Sequence, residues 1–453
     1  MTTQTKRIFK RKIYSEMLKW KEESKGKYAL LIEGARRVGK STIAEEFAKN
    51  EYQDYLIIDF SKVNKDLLSV FEYTYDLNQF YLRLFTFTGR TLPQKESVII
   101  FDEVQLYPKA RQAIKHLVAD ARYDFIETGS LISIKRNVKD ILIPSEEHRL
   151  SMYPMDFEEF LLNTGKPASF EAIKYGFTNL QPLGEALNRS LLREFRLYML
   201  VGGMPQAVAE YLDTYDFSRV DYVKREIINL YYDDFRKIDS TGKVSTIFKS
   251  IPSQLSRNTL NYQIGNVMKD SRPSRLGELF TDLNDSKTVI FSYRSNDPSV
   301  GLGLHANHEK FRIYMADTGL FVTLALQDGH LLENEIYKKL MADKLPINLG
   351  YFFENIVAQM LTSSGHSLYF YNFGKTGEEE NSSTQYEIDF IIRDGKKICP
   401  IEVKSSGYKT HKSIDEFKKK YSSRISKSYL LYTKDLHKEG DIICLPVYMA
   451  ALL

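Results

Sequence analysis

The chain has 453 residues, 43% hydrophobic and 27% charged, with a net charge of +4; these values exclude a small single-core domain, a disordered polymer and a strongly basic nucleic-acid-coating protein. Its two cysteines, Cys399 and Cys444, exclude a disulfide framework and a cysteine zinc cluster, which fits a reducing cytosol and a cytoplasmic location. The basic N-terminus (Lys6, Arg7, Lys10, Arg11, Lys12) has no apolar run behind it to make a signal peptide, and no stretch is apolar and long enough to span a bilayer, so no membrane partner is expected.

In chain order, residues 11–25 read as a surface helix of mixed charge. Ala29-Leu30-Leu31-Ile32 follows as a buried strand. Next come Gly34-Ala35-Arg36-Arg37-Val38-Gly39-Lys40-Ser41 and then Thr42-Ile43-Ala44-Glu45-Glu46-Phe47, a helix. Strand, G-x-x-x-x-G-K-S and helix together are the context of a phosphate-binding loop. The two glycines let successive N–H groups turn onto phosphate oxygens, and the helix start adds the positive end of its dipole. Residues Gly34 to Thr42 are therefore the expected ATP cradle, with Lys40 on the β- and γ-phosphates and the Ser41 hydroxyl on Mg2+.

Leu56-Ile57-Ile58-Asp59-Phe60 reads as a second strand and Leu67–Phe87 as core helix. Val98-Ile99-Ile100-Phe101-Asp102-Glu103 is a strand that ends in two acids. Beside a phosphate loop, Asp102 would hold Mg2+ through water and Glu103 would polarise the attacking water as general base. Adjacent Asp-Glu favours hydrolysis over a small-molecule kinase. In the turn Thr128-Gly129-Ser130, Thr128 or Ser130 would sense the γ-phosphate; an ordinary polar turn explains it equally well.

These motifs, together with Tyr153-Pro154-Met155-Asp156-Phe157-Glu158-Glu159-Phe160 and Val201-Gly202-Gly203-Met204-Pro205, come in one order. They resemble a widespread bacterial and archaeal family of AAA+-type P-loop ATPases whose C-terminal domain has a restriction-endonuclease-like core. The resemblance implies a helical lid over residues 166–240, with Gly202 and Gly203 as a hinge or a plain helix–helix turn. It also implies oligomers, whose sites are completed by a neighbour. His148-Arg149 stands where the family often has Gly-Arg, which makes Arg149 either an arginine finger given in trans or a surface arginine.

Residues 241–330 suggest a winged helix, with Leu276–Leu283 as recognition helix and Val289–Tyr293 as wing strand. Five basic residues (Lys249, Arg257, Lys269, Arg272, Arg275) could meet DNA phosphates there, or the module could serve only for packing. Phe311-Arg312-Ile313-Tyr314-Met315-Ala316-Asp317-Thr318-Gly319-Leu320 resembles the family's segment linking this module to the last domain and is read as structural.

The last domain, 331–453, opens with a helix carrying Glu354. Two strands follow, Glu387–Ile392 and Ile398–Lys404, joined by a turn containing Asp394-Gly395, a strong hairpin signal. Alternation puts Glu402 and Lys404 on one face, and the hairpin brings Asp389 beside them. Asp389 and Glu402 would bind Mg2+ or Mn2+, and Lys404 would orient or deprotonate water. The pattern Asp-x(12)-Glu-x-Lys resembles the PD-(D/E)XK nuclease superfamily, in which Glu354 fits the acid of the first helix. A metal-free salt-bridged strand pair, or a nuclease fold kept only for binding, are the alternatives. After Lys404 the chain turns basic, including Lys418-Lys419-Lys420.

The chain is thus expected to be α/β: a P-loop ATPase domain (1–165), helical lid (166–240), winged-helix module (241–330) and nuclease-like domain (331–453). The expected activity is Mg2+-dependent ATP hydrolysis coupled to DNA binding and to the nuclease-like domain. An ATP-gated switch that binds a partner and cuts nothing is the alternative from another class, and a DNA translocase is a third.

Overall fold

The computed structural model describes residues 7–24, 26–130, 143–257, 261–267, 273–299, 301–326, 334–342, 350–374, 385–405 and 410–453. They fall into two compact units, Met1–Tyr153 with Asp285–Lys287, and Pro154–Asn284 with Thr288–Leu453.

The first unit runs α1 (Ile13–Ser24), β1 (Ala29–Glu33), α2 (Lys40–Glu51), β2 (Asp54–Asp59), α3 (Lys65–Ser69), α4 (Leu77–Thr88), β3 (Ser97–Asp102), α5 (Pro108–Asp120), β4 (Asp124–Gly129) and β5 (Glu147–Ser151). Its sheet has the order β2-β3-β4-β1-β5, and every pairing is parallel. Because the strands are parallel, the segments that leave β1, β3 and β4 emerge at one sheet edge. That edge is where the glycine loop, the acid pair and the Thr-Gly-Ser turn meet. β1 is buried along its whole length, which explains its unbroken apolar run. One face packs Phe71, Phe80, Phe101 and Phe125 into a core with Ile114 and Leu117. On α2, Phe47 meets Tyr14 and Trp20 of α1.

The run Leu67–Phe87, expected as one core helix, is broken. It forms the end of α3, a 3-10 turn Val70–Tyr73 and α4. Asp76 caps α4 by accepting from the N–H groups of Asn78 and Gln79. Phe80, Tyr81 and Leu84 turn to the core, whereas Tyr75, Leu82 and Phe87 are exposed.

The second unit begins with helices α6 (Phe157–Asn163), α7 (Pro167–Asn179), α8 (Glu185–Val201), α9 (Pro205–Thr214), α10 (Phe217–Ile238), α11 (Lys243–Ser256) and α12 (Pro273–Asp285). Then come β6 (Val289–Ser295), β7 (Ala306–Met315), α13 (Thr318–Ala325), α14 (Asn334–Met341), α15 (Gly350–Ser363), β8 (Leu368–Gly374), β9 (Gln385–Asp394), β10 (Lys397–Val403), α16 (Lys412–Tyr421), β11 (Ser428–Tyr432), β12 (His437–Glu439) and β13 (Ile442–Pro446). Residues 166–240 are helical, in line with their three- and four-residue apolar spacing.

The hairpin read as a wing is not a separate feature. β6 pairs antiparallel with β7 and parallel with β8, inside one eight-stranded sheet ordered β12-β13-β11-β10-β9-β8-β6-β7. The domain boundary expected at residue 330 therefore runs through a continuous sheet. The physical reason lies in the backbone of β6, which is hydrogen-bonded to β7 on one side and to β8 on the other, while its first four residues are all buried like those of an interior strand. Lys269, Arg272 and the Arg275 side chain, members of the expected DNA patch, lie outside the described residues.

Gly202 and Gly203 sit at a close backbone approach. Gly202 has φ +84, and a Cβ there would come within 2.4 Å of Asp317 Oδ1. A Cβ on Gly203 would fall 2.0 Å from the Met155 carbonyl oxygen. The Gly203 N–H donates to Asp317 at 2.6 Å, and its carbonyl accepts from Met155 N–H at 2.8 Å. The diglycine thus clamps three chain segments together rather than leaving a loose joint. No helix among the described residues is long and apolar enough to cross a membrane.

Candidate functional site

In the first unit the glycine loop connects β1 directly to α2. Gly34 packs so closely under the following strand that a Cβ would meet Met152 O at 2.2 Å. Gly39 has φ 105 at the N-cap of α2, and Arg37 also lies at positive φ (71°). These dihedrals give the loop a tight curl between β1 and α2. Lys40, 7% exposed, donates from Nζ to the carbonyls of Gly34 (3.1 Å) and Ala35 (2.9 Å), so its ammonium spans the loop's own mouth. Ala35 and Val38 are buried and Arg36 partly so, which fixes the loop's shape.

The acid pair faces this loop although β4 intervenes between β1 and β3. Ser41 Oγ donates to Asp102 Oδ1 at 2.6 Å. Thr128 also donates to Asp102 Oδ1, and its hydroxyl accepts from the Glu103 N–H at 3.4 Å. Thr128 therefore braces the acid pair from the intervening strand. Glu103 is held at φ 55, ψ 44, a strained region for a residue with a side chain, and Gln105 Nε2 donates to its carboxylate. Ser41 and Asp102 together present a hydroxyl and a carboxylate where Mg2+ is ligated beside a triphosphate, so the residues fit the cofactor.

Two supporting residues went unread in the sequence. Arg11 donates to Val38 O (2.8 Å) and Tyr153 O (2.6 Å), tying the loop to the chain that follows β5. Gln105 orients Glu103. Arg11 was visible only as part of a basic N-terminus, and Gln105 carried no signal. Arg149 lies on the edge strand β5, 46% exposed, 3.5 Å from Glu147, which is itself buried in a two-point ion pair with Arg111. Glu127 on β4 is fully buried with both carboxylate oxygens unpartnered; burial first, and Glu147 second, push its carboxyl well above the usual range.

In the second unit, a cavity of about 260 Å³ is lined by Arg312, Glu354, Glu387, Asp389, Glu402 and Lys404, among others. Glu354, Asp389, Glu402 and Lys404, picked from sequence, thus meet from α15, β9 and β10. The β9–β10 ladder ends with Ile401 opposite Phe390, and the Asp389 carboxylate then accepts the Val403 N–H at 2.8 Å. Lys404 Nζ lies 2.5 Å from Glu402 Oε1, while Glu402 Oε2 is buried without a hydrogen-bond partner. Arg312 of β7 and Glu387 of β9 were not anticipated. The Arg312 guanidinium bonds Glu387 and stands 4.0 Å from Glu354, with 8% of its side chain exposed.

Electrostatics in this pocket follow from burial. Glu354 is 23% exposed, into the cavity it lines. Burial, and then Asp389, push its carboxyl up to about 7, against the pull of Arg312 and Lys404. Burial also raises Glu402, offset by Lys404. Burial opposes the Lys404 charge, but Glu402 and Asp389 hold its ammonium above the ordinary lysine value.

An all-parallel sheet with a glycine loop at its strand ends, a lysine spanning that loop and an acid hydrogen-bonded to the following serine is the arrangement of a P-loop NTPase domain. Consistent with this, residues 26–161 match a family model described as an AAA domain. Residues 192–330 match a domain of unknown function (DUF8612), and residues 349–449 match another (DUF4143). No curated protein is significantly similar in sequence. Among solved structures, a Walker-type ATPase of Pyrococcus abyssi shares 16% identity over 72% of this chain and 99% of its own, with a TM-score of 0.45. A STAND signal-transduction ATPase of Pyrococcus horikoshii, with a tetratricopeptide repeat sensor, shares 11% identity; 78% of this chain and 48% of that one align, with a TM-score of 0.29.

Proposed function

We propose that the chain is a Mg2+-dependent ATP hydrolase whose second unit holds a divalent-metal phosphodiesterase pocket acting on DNA, with ATP state governing use of that pocket. The observation that carries this reading is the convergence of Glu354, Asp389, Glu402 and Lys404 on one cavity.

At the glycine loop, the amides of Gly34 to Thr42 hold the phosphates and Lys40 exchanges the loop carbonyls for phosphate oxygens. Ser41 and Asp102 would hold Mg2+, which when bound would supply charge stabilisation at the γ-phosphate. Glu103 takes the proton of the attacking water, and Thr128 and Gln105 keep the acids in place. Arg149, exposed on an edge strand, is available to a neighbouring copy in a homo-oligomer.

In the acidic pocket every donor is a carboxylate oxygen, which suits a hard cation such as Mg2+ or Mn2+. The orphaned Glu402 Oε2 is the atom most in want of one. Lys404, kept protonated by its two acids, orients water rather than deprotonating it. Water would then add to phosphorus as the ester P–O bond breaks, with its proton ending on the leaving oxygen to give an alcohol and a phosphomonoester.

Coupling has a covalent start. Met155 follows the first unit by two residues and its carbonyl accepts from Tyr198 Oη, which accepts from Gln359 of α15, the helix that carries Glu354.

The presence of Arg312 against Glu387 favours the second reading, a neutralised pocket used for binding in an ATP-gated switch. Nicking of duplex and single-stranded DNA with Mg2+ or Mn2+ separates them. Cleavage by wild type that is lost in Lys404→Ala and Asp389→Asn supports the phosphodiesterase. Undiminished ATP turnover with no nicking by any protein favours the switch.

A further inference from the structure

We propose that the edge hairpin of the larger sheet holds a Zn2+ centre built from His411, His437, Glu439 and Cys444, separate from both sites above. β12 and β13 pair antiparallel with His437 directly opposite Cys444. Side-chain alternation puts His437, Glu439 and Cys444 on one face. One donor atom from each lies within 4.8 Å of the other two, and among the described residues this is the one group of three such donors gathered so closely. Cys444 is fully buried in a core shared with Ile414 and Phe417, so this face is the one that α16 covers.

The nearest further donor is His411 at the start of that helix, which stands outside the close group of three. His411 Nε2 lies 3.4 Å from Glu439 Oε1. A tetrahedral ion with bonds of about 2.1 Å separates its ligand atoms by about 3.4 Å. The His437 imidazole is already oriented from behind, and His411 has an ion-pair contact. His411 Nδ1 is 2.7 Å from the Asp415 carboxylate, and His437 Nδ1 is 2.6 Å from the Tyr432 hydroxyl. The hydrogen bond on His437 Nδ1 fixes the tautomer that would ligate through Nε2. Two imidazoles, a thiolate and a carboxylate match Zn2+ rather than the hard ions suited to the all-carboxylate pocket.

The centre would staple a three-residue edge strand to its neighbour and to the beginning of α16. Counting cysteines hides it, since it uses only one. His437 and Glu439 are exposed, so replacing them leaves the core intact.

The test is metal analysis of the full chain after dialysis, with Zn2+ and then Co2+ as probes. Wild type is expected to retain one Zn2+ per chain, and its Co2+ form to show a sulfur-to-cobalt charge-transfer band. His437→Ala is expected to weaken Zn2+ binding beyond the roughly 10–100-fold that loss of a ligand's supporting partner costs. Cys444→Ser is expected to lose the charge-transfer band, and Asp389→Asn to keep both metal and band. Three results would overturn the proposal: a wild type that binds Zn2+ no tighter than His437→Ala, a band that survives Cys444→Ser, or metal lost on Asp389→Asn alone.

Discussion

Ser41 and Asp102, which come from different elements of the first unit, share one hydrogen bond of 2.6 Å across the mouth of the glycine loop. That bond places side by side the hydroxyl and carboxylate proposed above to hold Mg2+. Lys40→Ala is therefore expected to abolish nucleotide binding, and Glu103→Gln to keep binding and lose turnover by about 10²–10⁴-fold. Gln105→Ala should lower turnover without weakening binding. Fluorescent-nucleotide titration beside phosphate release reads all three; normal turnover in Glu103→Gln would remove the base assignment.

Arg11 bonds two carbonyls, one in the loop and one beyond β5. Arg11→Ala should weaken nucleotide binding and lower stability by about 1.5–3 kcal/mol, as expected for lost hydrogen bonds to a charged group. Thermal melts with and without nucleotide would show it. An unchanged melt and unchanged affinity would count against the buttress.

Gly203→Ala would drive a methyl group into the Met155 carbonyl, and Gly202→Ala would add strain at positive φ and crowd Asp317. Each is expected to cost at least about 2 kcal/mol and to lower yield of folded protein. Were these glycines a free hinge, alanine would instead leave the melting temperature untouched and slow only the ATPase cycle.

Arg312 lies among buried carboxylates, so Arg312→Met should destabilise the metal-free protein by about 3–5 kcal/mol, the scale for breaking a buried ion pair. Mg2+ or Mn2+ should recover part of that loss in the variant more than in wild type. Equal recovery in both proteins would separate Arg312 from the metal question.

Glu354 supplies a pH test. Its carboxyl, pushed up to about 7, keeps a proton that the unfolded chain releases near its ordinary value of 4.5. Between those two values the folded state binds more protons, so this group's contribution to stability falls as pH rises. Glu354→Gln should flatten the decline in melting temperature across that window. Divalent affinity at the pocket should rise with pH through about 7 in wild type, because metal must displace the proton. Calorimetry across pH reads both effects.

What was legible in the sequence was mostly local. The glycine loop is contiguous, and its strand and helix sit on either side of it. Asp389, Glu402 and Lys404 could be placed together because Asp394-Gly395 announces the hairpin and alternation does the rest. Glu354 came through resemblance alone. Arg312 was missed because its partners are distant in sequence, although a lone cation inside Phe311-Arg312-Ile313-Tyr314-Met315 was a usable hint: a charge buried in an apolar strand needs a counter-charge. The merging of β6 with β8 left no trace, since parallel pairing of remote strands has no turn to mark it. The break within Leu67–Phe87 was written in Asp76, a helix cap read as part of a helix.

The parallel seam between β6 and β8 also bears on how this protein can be divided. A polypeptide starting at residue 331 would lack β6 and bare one flank of β8, a row of unsatisfied amides and carbonyls that invites foreign strands. Such a truncation should precipitate or form polymers through that flank. One starting at Pro154 retains β6 beside β8 together with the helices of the same compact unit and Leu255 of the cavity wall, which makes it the better cut for isolating the acidic cavity.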